Sequence, residues 1–156
     1  MKKNERKVKT FVYKGLAIPV KLINVPMKKA AGVWCLDINM SKLMRVILEA
    51  VIYKPTALTG DELRYIRKYL EMTMAEFGKT FDVSHVAVLK WENNQNRISS
   101  SLELYIRLYV LNRLHAKDKE FRALYNDINI HQLAKKPKTV PIAVDAATDA
   151  LKIAAS

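Results

Sequence analysis

Three copies of one short helix-start pattern, closely spaced along the middle of the chain, restrict its fold more than any other feature. In this pattern, the capping box, a Ser or Thr side chain accepts a hydrogen bond from the backbone N–H three residues later, and a Glu at that position reaches back to the cap. The pattern begins at Thr59, Thr73 and Ser100 and ends at Glu62, Glu76 and Glu103. With Ser84 as a further candidate N-cap, it predicts a compact helical domain whose helices end at about residues 70, 81, 92 and 114.

The flanking segments carry other signals. Three β-branched and aromatic runs between residues 11 and 36 predict short strands, of which the second is an edge strand or an interrupted one because it contains Pro19 and Pro26. Ser41 is a candidate cap for a helix to about Tyr53, buried within the fold or against a second subunit. A further helix is expected from Asp118 to about residue 128. We therefore predict a basic flexible tail (1–10), a small α+β region for partner binding or dimerisation (11–55), a helical domain (56–133) and a loosely ordered tail (134–156).

The charge balance narrows the function classes. Lys and Arg outnumber Asp and Glu by 27 to 15, for a net charge of +12 over 156 residues. Residues 1–55 hold 12 basic and 3 acidic side chains and so contribute +9 of that charge. No apolar run has the ~18 residues needed to span a bilayer, and the single cysteine, Cys35, allows no intrachain disulfide. The expectation is a cytoplasmic, non-membrane protein with a polyanionic partner.

Two short capped helices joined by a tight turn predict a helix-turn-helix unit, in which the second helix is presented outward. Such a helix enters the major groove, which is about 12 Å wide. By helical geometry its exposed face contains His85, Val86, Leu89 and Lys90, whereas Val88 and Trp91 face the core.

The string TMAEFGKTFDVS (73–84), followed by VAVLKWEN (86–93), resembles the Cro/cI-type (XRE) helix-turn-helix family. The resemblance covers residues 59 to about 114, and its most specific part is Val-Ser followed at the right spacing by Trp-Glu. It implies a mainly α fold, with a five-helix Cro/cI-like domain preceded by the small α+β region. It also implies binding to double-stranded DNA.

The resemblance assigns roles to individual residues. Arg67 and Glu92 match a position pair that forms a buried ion pair bracing the motif. It implies that the first turn of the second helix, and the residue one turn later, contact the bases. It also implies that residues flanking this helix contact the phosphates. The implied DNA-binding set is Thr73, Met74, Ser84, His85, Val86, Ala87, Leu89, Lys90, Asn93 and Arg97.

The chain departs from the usual family residues at five positions. Met74 stands where the family usually has Gln, and Gly78 stands where it has Ala. Asp82 replaces the usual turn Gly, so a non-Gly residue must occupy a position where φ is expected to be positive. Val86 and Ala87 are apolar, which favours contact with a thymine methyl group over hydrogen bonding.

The order of a basic β-containing region, a linker and an XRE-like domain also resembles MqsA-type and HigA-type antitoxin regulators, although the zinc cysteines of the MqsA type are missing. Helix 100–114 carries apolar residues on two faces, which predicts a homodimer with this helix, together with helix 41–53, at its interface. The alternative is that this helix is covered by other parts of the same chain.

The expected function is a sequence-specific transcriptional regulator, in repressor mode, that binds a palindromic operator as a dimer. The first alternative is a type II antitoxin that neutralises a toxin protein and autoregulates its operon. An RNA-binding protein is a third class. No grouping of residues predicts an enzyme, a cofactor or a metal site.

Overall fold

The structure is a computed structural model that describes residues 4–128, 130–147 and 151–154. The chain divides into two compact units, one formed by Met1–Ala50 and Pro141–Ser156 and the other by Val51–Val140. The described residues form five strands and seven helices: β1 (Glu5–Tyr13), β2 (Val20–Ala30), β3 (Val33–Leu36), α1 (Met40–Ile52), α2 (Gly60–Tyr69), α3 (Met74–Thr80), α4 (His85–Glu92), α5 (Ser100–Arg113), α6 (Asp118–Asp127), α7 (Ile130–Leu133), β4 (Ile142–Asp145) and β5 (Lys152–Ile153).

The predicted fold class, a mainly α protein with a five-helix Cro/cI-like domain and a small α+β N-terminal region, is wrong. The first unit contains a five-stranded mixed sheet in which β1 and β3 pair antiparallel with β2, and β4 pairs parallel with β2. The sheet joins the two ends of the chain, since Val20 lies opposite Ile142. Neither end is therefore an appendage to a helical protein.

Strand β2 is the centre of that sheet and not the edge strand that its prolines suggested. It pairs with three strands and buries Val20, Leu22, Val25 and Met27. The strand is not interrupted at its prolines either, since it runs from Val20 to Ala30, although Asn24 departs from extended backbone with a φ of 54°. Buried side chains occupy even positions before Asn24 and odd positions after it, so this residue changes which side chains face the core.

The two predicted tails contain parts of the sheet. β1 begins at Glu5, inside the expected basic tail, and β4 and β5 lie in the segment expected to be loosely ordered. In β1 the Lys and Thr side chains are exposed while the backbone pairs with β2. These charged residues made the segment resemble a flexible tail in the sequence, although charged side chains are common on edge strands. Residues 1–3, 148–150 and 155–156 of these tails lie outside the described residues.

Helix α1 begins slightly before its predicted start. The Asn39 side chain, and not Ser41, accepts the hydrogen bond from the Lys42 N–H, at 2.9 Å. Leu43, Ile47 and Leu48 are at 0% exposure within the single chain, whereas Met44 and Val46 are half-buried. The burial of these three side chains therefore requires no second subunit.

The second unit follows the sequence prediction closely. The capping boxes at Thr59 and Thr73 are both formed, and Ser84 caps α4. The third box is displaced, because Ser99 and not Ser100 is the N-cap of α5. The core of this unit includes Leu63, Ile66, Phe77, Val88, Ile106, Val110, Leu111 and Leu124.

Glu103 does not form the predicted capping box. It lies instead in a buried cluster that fixes the segment before α2. It accepts a hydrogen bond from the Leu58 N–H at 2.9 Å and pairs with Arg107 at 2.7 Å. The Arg107 side chain is fully buried and also donates to the carbonyls of Ile52, Lys54 and Thr56. One guanidinium therefore satisfies three backbone acceptors that helix and sheet leave unpaired.

None of the helices in the described ranges combines the length and the apolarity needed to cross a membrane.

Candidate nucleic-acid interface

The start of α4 is fixed by a local cap. Ser84 has extended backbone, with φ −71° and ψ 151°, and its side chain accepts a hydrogen bond from the Ala87 N–H at 3.1 Å. The cap satisfies one of the backbone N–H groups that the first turn of a helix leaves without an intrahelical partner. Ser84 and His85 are both exposed, so this helix start is accessible to a phosphate or another acceptor.

The turn between α3 and α4 is tight, and two residues make it possible. Asp82 adopts a φ of 54°, the left-handed backbone expected at the position where the family has Gly. The Val83 N–H then bonds to the Gly78 carbonyl at 2.8 Å, which closes the end of α3. A Cβ at residue 78 would lie 2.5 Å from the Val83 oxygen, so the close approach requires Gly.

The end of α4 is held against α2 by the predicted ion pair. Arg67 Nε and Nη2 lie 2.6 and 3.0 Å from the two carboxylate oxygens of Glu92, whose side chain is fully buried. Arg64 adds a second cation, with Nε 3.2 Å from Glu92 Oε2. The bidentate geometry fixes the orientation of the carboxylate and therefore the rotation of α4 about its own axis.

A second contact holds the same end of α4. Asn94, with a φ of 56°, ends the helix, and its Oδ1 accepts the Gly60 N–H at 2.9 Å. A Cβ on Gly60 would lie 2.4 Å from the Glu92 carbonyl oxygen, so here too the helices approach at a glycine. Sequence reasoning did not identify Gly60 or Asn94; the paired Asn93-Asn94 after Trp-Glu, at a position where a helix must end, was the available signal.

Between these two fixed ends, one face of α4 is open. His85, Val86, Leu89 and Lys90 are exposed, and the two large apolar side chains Val86 and Leu89 remain 44% and 42% accessible. Ala87 is half-buried. Val88 is fully buried and Trp91 half-buried, as their positions on the helix predicted. The open face offers an imidazole, an ammonium group and apolar surface, which are groups that contact base edges and thymine methyls.

The other predicted contact residues differ in their exposure and in whether their polar groups are already hydrogen-bonded. Thr73 is exposed at the start of α3, with its hydroxyl and N–H both used in the capping box with Glu76. Met74 is half-buried, and Asn93 is exposed with its side-chain oxygen 3.3 Å from Arg64 Nη2. Arg97 lies in the loop after α4, where it donates to the Ala134 carbonyl at 3.0 Å and to the Lys135 carbonyl. A phosphate contact by Arg97 therefore competes with these carbonyls.

Aromatic contacts connect the end of α3 to α5. Phe81 packs edge-on against Tyr105 and Tyr109, with ring centroids 5.9 and 5.2 Å apart, and against Phe77 at 4.6 Å. Tyr105 still leaves 55% of its surface exposed. The contacts fix α3 on the domain core, and α3 in turn supports the start of α4.

Comparison with family models, with curated proteins and with solved structures gives no match to this chain. The resemblance to the XRE helix-turn-helix family therefore remains a prediction from the sequence. Within residues 4–128, 130–147 and 151–154, three or more His, Cys, Asp or Glu side chains are nowhere grouped so as to hold a metal ion.

Proposed function

We propose that the chain is a transcriptional regulator that binds double-stranded DNA through the exposed face of α4. The observation that carries the proposal is that both ends of α4 are held by close contacts while one face of the helix is exposed to solvent. The buried Glu92 and the close contacts at Gly60 and Gly78 hold the helix, while His85, Val86, Leu89 and Lys90 face solvent. A helix held in this way presents side chains to base edges at little further cost in conformational entropy.

Affinity and specificity come from different residues in this proposal. Ser84, Thr73, Asn93 and Arg97 are assigned to phosphate contact, which positions the protein without reading sequence. The first turn of α4 and Lys90 are assigned to base readout, with a preference for thymine methyl groups opposite Val86 and Ala87. The net charge of +12 favours binding to a polyanion and makes that binding dependent on salt. The role places the protein in the cytoplasm and assigns it no catalytic step.

Selection of bound duplexes from a random pool tests the proposal. Enrichment of one defined sequence supports direct readout, whereas recovery of unrelated duplexes contradicts it. Two half-sites in inverted repeat, about one DNA turn apart, are expected if the protein binds as a two-fold dimer. The repressor mode is tested separately, by a reporter gene placed downstream of the selected sequence.

Two variants with a matched control separate readout from charge. Lys90→Ala and His85→Ala should relax sequence preference, with about 1 to 3 kcal/mol lost for each good base contact. Lys119→Ala removes the same charge as Lys90→Ala, from an exposed position on α6, and should leave the preference unchanged. If the α4 variants discriminate between the selected and a scrambled duplex as well as the Lys119 variant does, base readout by this face is excluded.

A protein partner is the second candidate, and the exposed apolar side chains favour it. Val86, Leu89 and Tyr105 leave 44%, 42% and 55% of their surfaces accessible. In this alternative the chain is the antitoxin of a type II pair that neutralises a toxin and regulates its own operon. Co-purification with the product of an adjacent toxin-like gene, at a fixed stoichiometry, distinguishes it from a regulator that binds DNA alone.

A further inference from the structure

A cavity of about 310 Å³ lies in the second unit, beside the end of α4 that is away from the proposed base-reading turn. It is bounded by the start of α2, the loop between α4 and α5, and the segment that follows α7. Its apolar lining comes from Leu63, Trp91, Ile98, Leu133 and Pro137. The volume is at the lower end of the range of small-molecule sites, roughly 300 to 1,000 Å³.

The polar groups around this cavity are mainly hydrogen-bond donors. Arg97 and Lys136 contribute cationic groups, and Asn94 and Asn96 contribute amides. The Asn94 oxygen is already used by the Gly60 N–H, so its amide nitrogen is the group left for a ligand. The Trp91 indole adds a further N–H donor.

Glu103 is the acidic side chain among the described lining residues, and it does not cancel the positive charge of Arg97 and Lys136. It is 2% exposed, accepts the Leu58 N–H and pairs with the buried Arg107. Its charge is therefore compensated from within the protein. A ligand in the cavity meets apolar walls and uncompensated positive charge.

We propose that this cavity binds a small organic anion, a carboxylate with an apolar body. The apolar part lies against Trp91, Leu133 and Pro137, and the carboxylate lies between Lys136 and Arg97. A cationic ligand is disfavoured by the two basic side chains, and a larger ligand by the volume.

The position of the cavity links it to DNA binding, and this second part of the inference rests on the function proposed above. Arg97 is assigned to phosphate contact, and it also donates to the carbonyls of Ala134 and Lys135, which lie in the chain between the lining residues Leu133 and Lys136. A carboxylate beside Arg97 forms a charge-assisted pair with it and removes it from the DNA phosphates. The bound anion therefore lowers the affinity for DNA.

The binding site is tested without DNA, using 4-phenylbutyrate as the anionic probe and 4-phenylbutanamide as its uncharged match. The full chain carries Trp34→Phe, so that Trp91 is its single tryptophan and its fluorescence reports binding. The carboxylate should bind about tenfold more tightly than the amide, because hydrogen bonds to a charged acceptor are stronger than hydrogen bonds to a neutral one. Lys136→Gln should remove most of that difference, whereas Lys138→Gln, which removes the same charge outside the lining, should retain it.

The outcomes separate the two parts. Equal affinities for the carboxylate and the amide, no response of Trp91 fluorescence, or equal behaviour of the Lys136 and Lys138 variants overturns the anion site. If the carboxylate binds but the affinity for the selected duplex is unchanged at saturation, the link to DNA binding is overturned. A chain that selects no duplex refutes the proposed function, while the fluorescence titration still decides whether the cavity binds the anion.

Discussion

The buried carboxylate of Glu92 gives the most direct test of how α4 is held. Glu92→Gln keeps the size of the side chain but removes the charge that faces Arg67 and Arg64. The Glu92 side chain is 0% exposed and that of Arg67 is 10% exposed, so water does not replace the lost partner. Removing one member of a buried ion pair costs about 3 to 5 kcal/mol.

That cost is large for a unit of this size. A stability of roughly 0.05 to 0.15 kcal/mol per residue gives the Val51–Val140 unit on the order of 5 to 13 kcal/mol in total. The exposed pair between Arg45 and Glu49, with side chains 52% and 43% accessible, is the control. Glu49→Gln should cost no more than about 0.5 kcal/mol, because water screens that pair.

Urea denaturation followed by far-ultraviolet circular dichroism measures both variants, and Trp91 fluorescence in a Trp34→Phe background adds a local probe of the unit that contains Glu92. The double variant Arg67→Met/Glu92→Leu removes both charges and should lose less stability than Glu92→Gln alone. Its remaining loss includes the hydrogen bond from Arg67 Nη1 to the Met72 carbonyl, present at 2.9 Å and worth about 1 kcal/mol. The reasoning is refuted if Glu92→Gln costs no more than Glu49→Gln, or if the double variant is less stable than the single one.

Three further substitutions test the local geometry around α3. Gly78→Ala should destabilise the protein in urea, because overpacking of the added Cβ against the Val83 oxygen at 2.5 Å costs about 1 to 3 kcal/mol. The higher helix propensity of Ala returns at most about 1 kcal/mol. A urea midpoint at or above that of wild type contradicts this prediction. Asp82→Gly should stabilise it by up to about 1 kcal/mol, because a φ of 54° is unfavourable for a residue with a side chain, and a loss of stability would contradict that account. Hydrogen bonds from the Thr73 backbone N–H and hydroxyl hold the pKa of Glu76 below its ordinary value. The carboxylate therefore stabilises the fold at pH values above the ordinary pKa, and this contribution is lost as the pH falls through the lowered pKa of the folded state. The stability difference between wild type and Glu76→Gln should therefore shrink as melts are repeated from pH 7 to pH 3, and a difference independent of pH would exclude this role.

The helices around the turn were predictable because their signals are local. A Thr or Ser cap and the residues of the next turn lie within four positions of one another, so Thr59, Thr73 and Ser84 define helix starts without knowledge of the rest of the chain. The same reasoning misplaced the start of α5 by one residue, since Ser99 and Ser100 are both acceptable caps. Glu103 decided between them, because its place in the buried cluster with Arg107 excludes a role at the cap.

The sheet was not predictable in the same way. Its pairing of β2 with β4 joins Val20 to Ile142, and nothing in the four residues of β4 specifies a partner so far away in sequence. The two glycines that border α4 show a related limit. Gly60 and Gly78 are required by contacts with Glu92 and Val83, which become visible only when the helices are packed together.

The division of α4 into fixed ends and a free face separates the effects of substitutions. Side chains that hold the helix, such as Glu92, are buried and paired, and changing them alters stability first. Val86 and Leu89 are 44% and 42% accessible, and Thr and Gln fill nearly the same volume, so these replacements remove only part of the buried apolar area and should change stability by no more than about 1 kcal/mol. A large loss of partner binding in such variants, at unchanged stability, would show that these apolar groups act in recognition and not in folding.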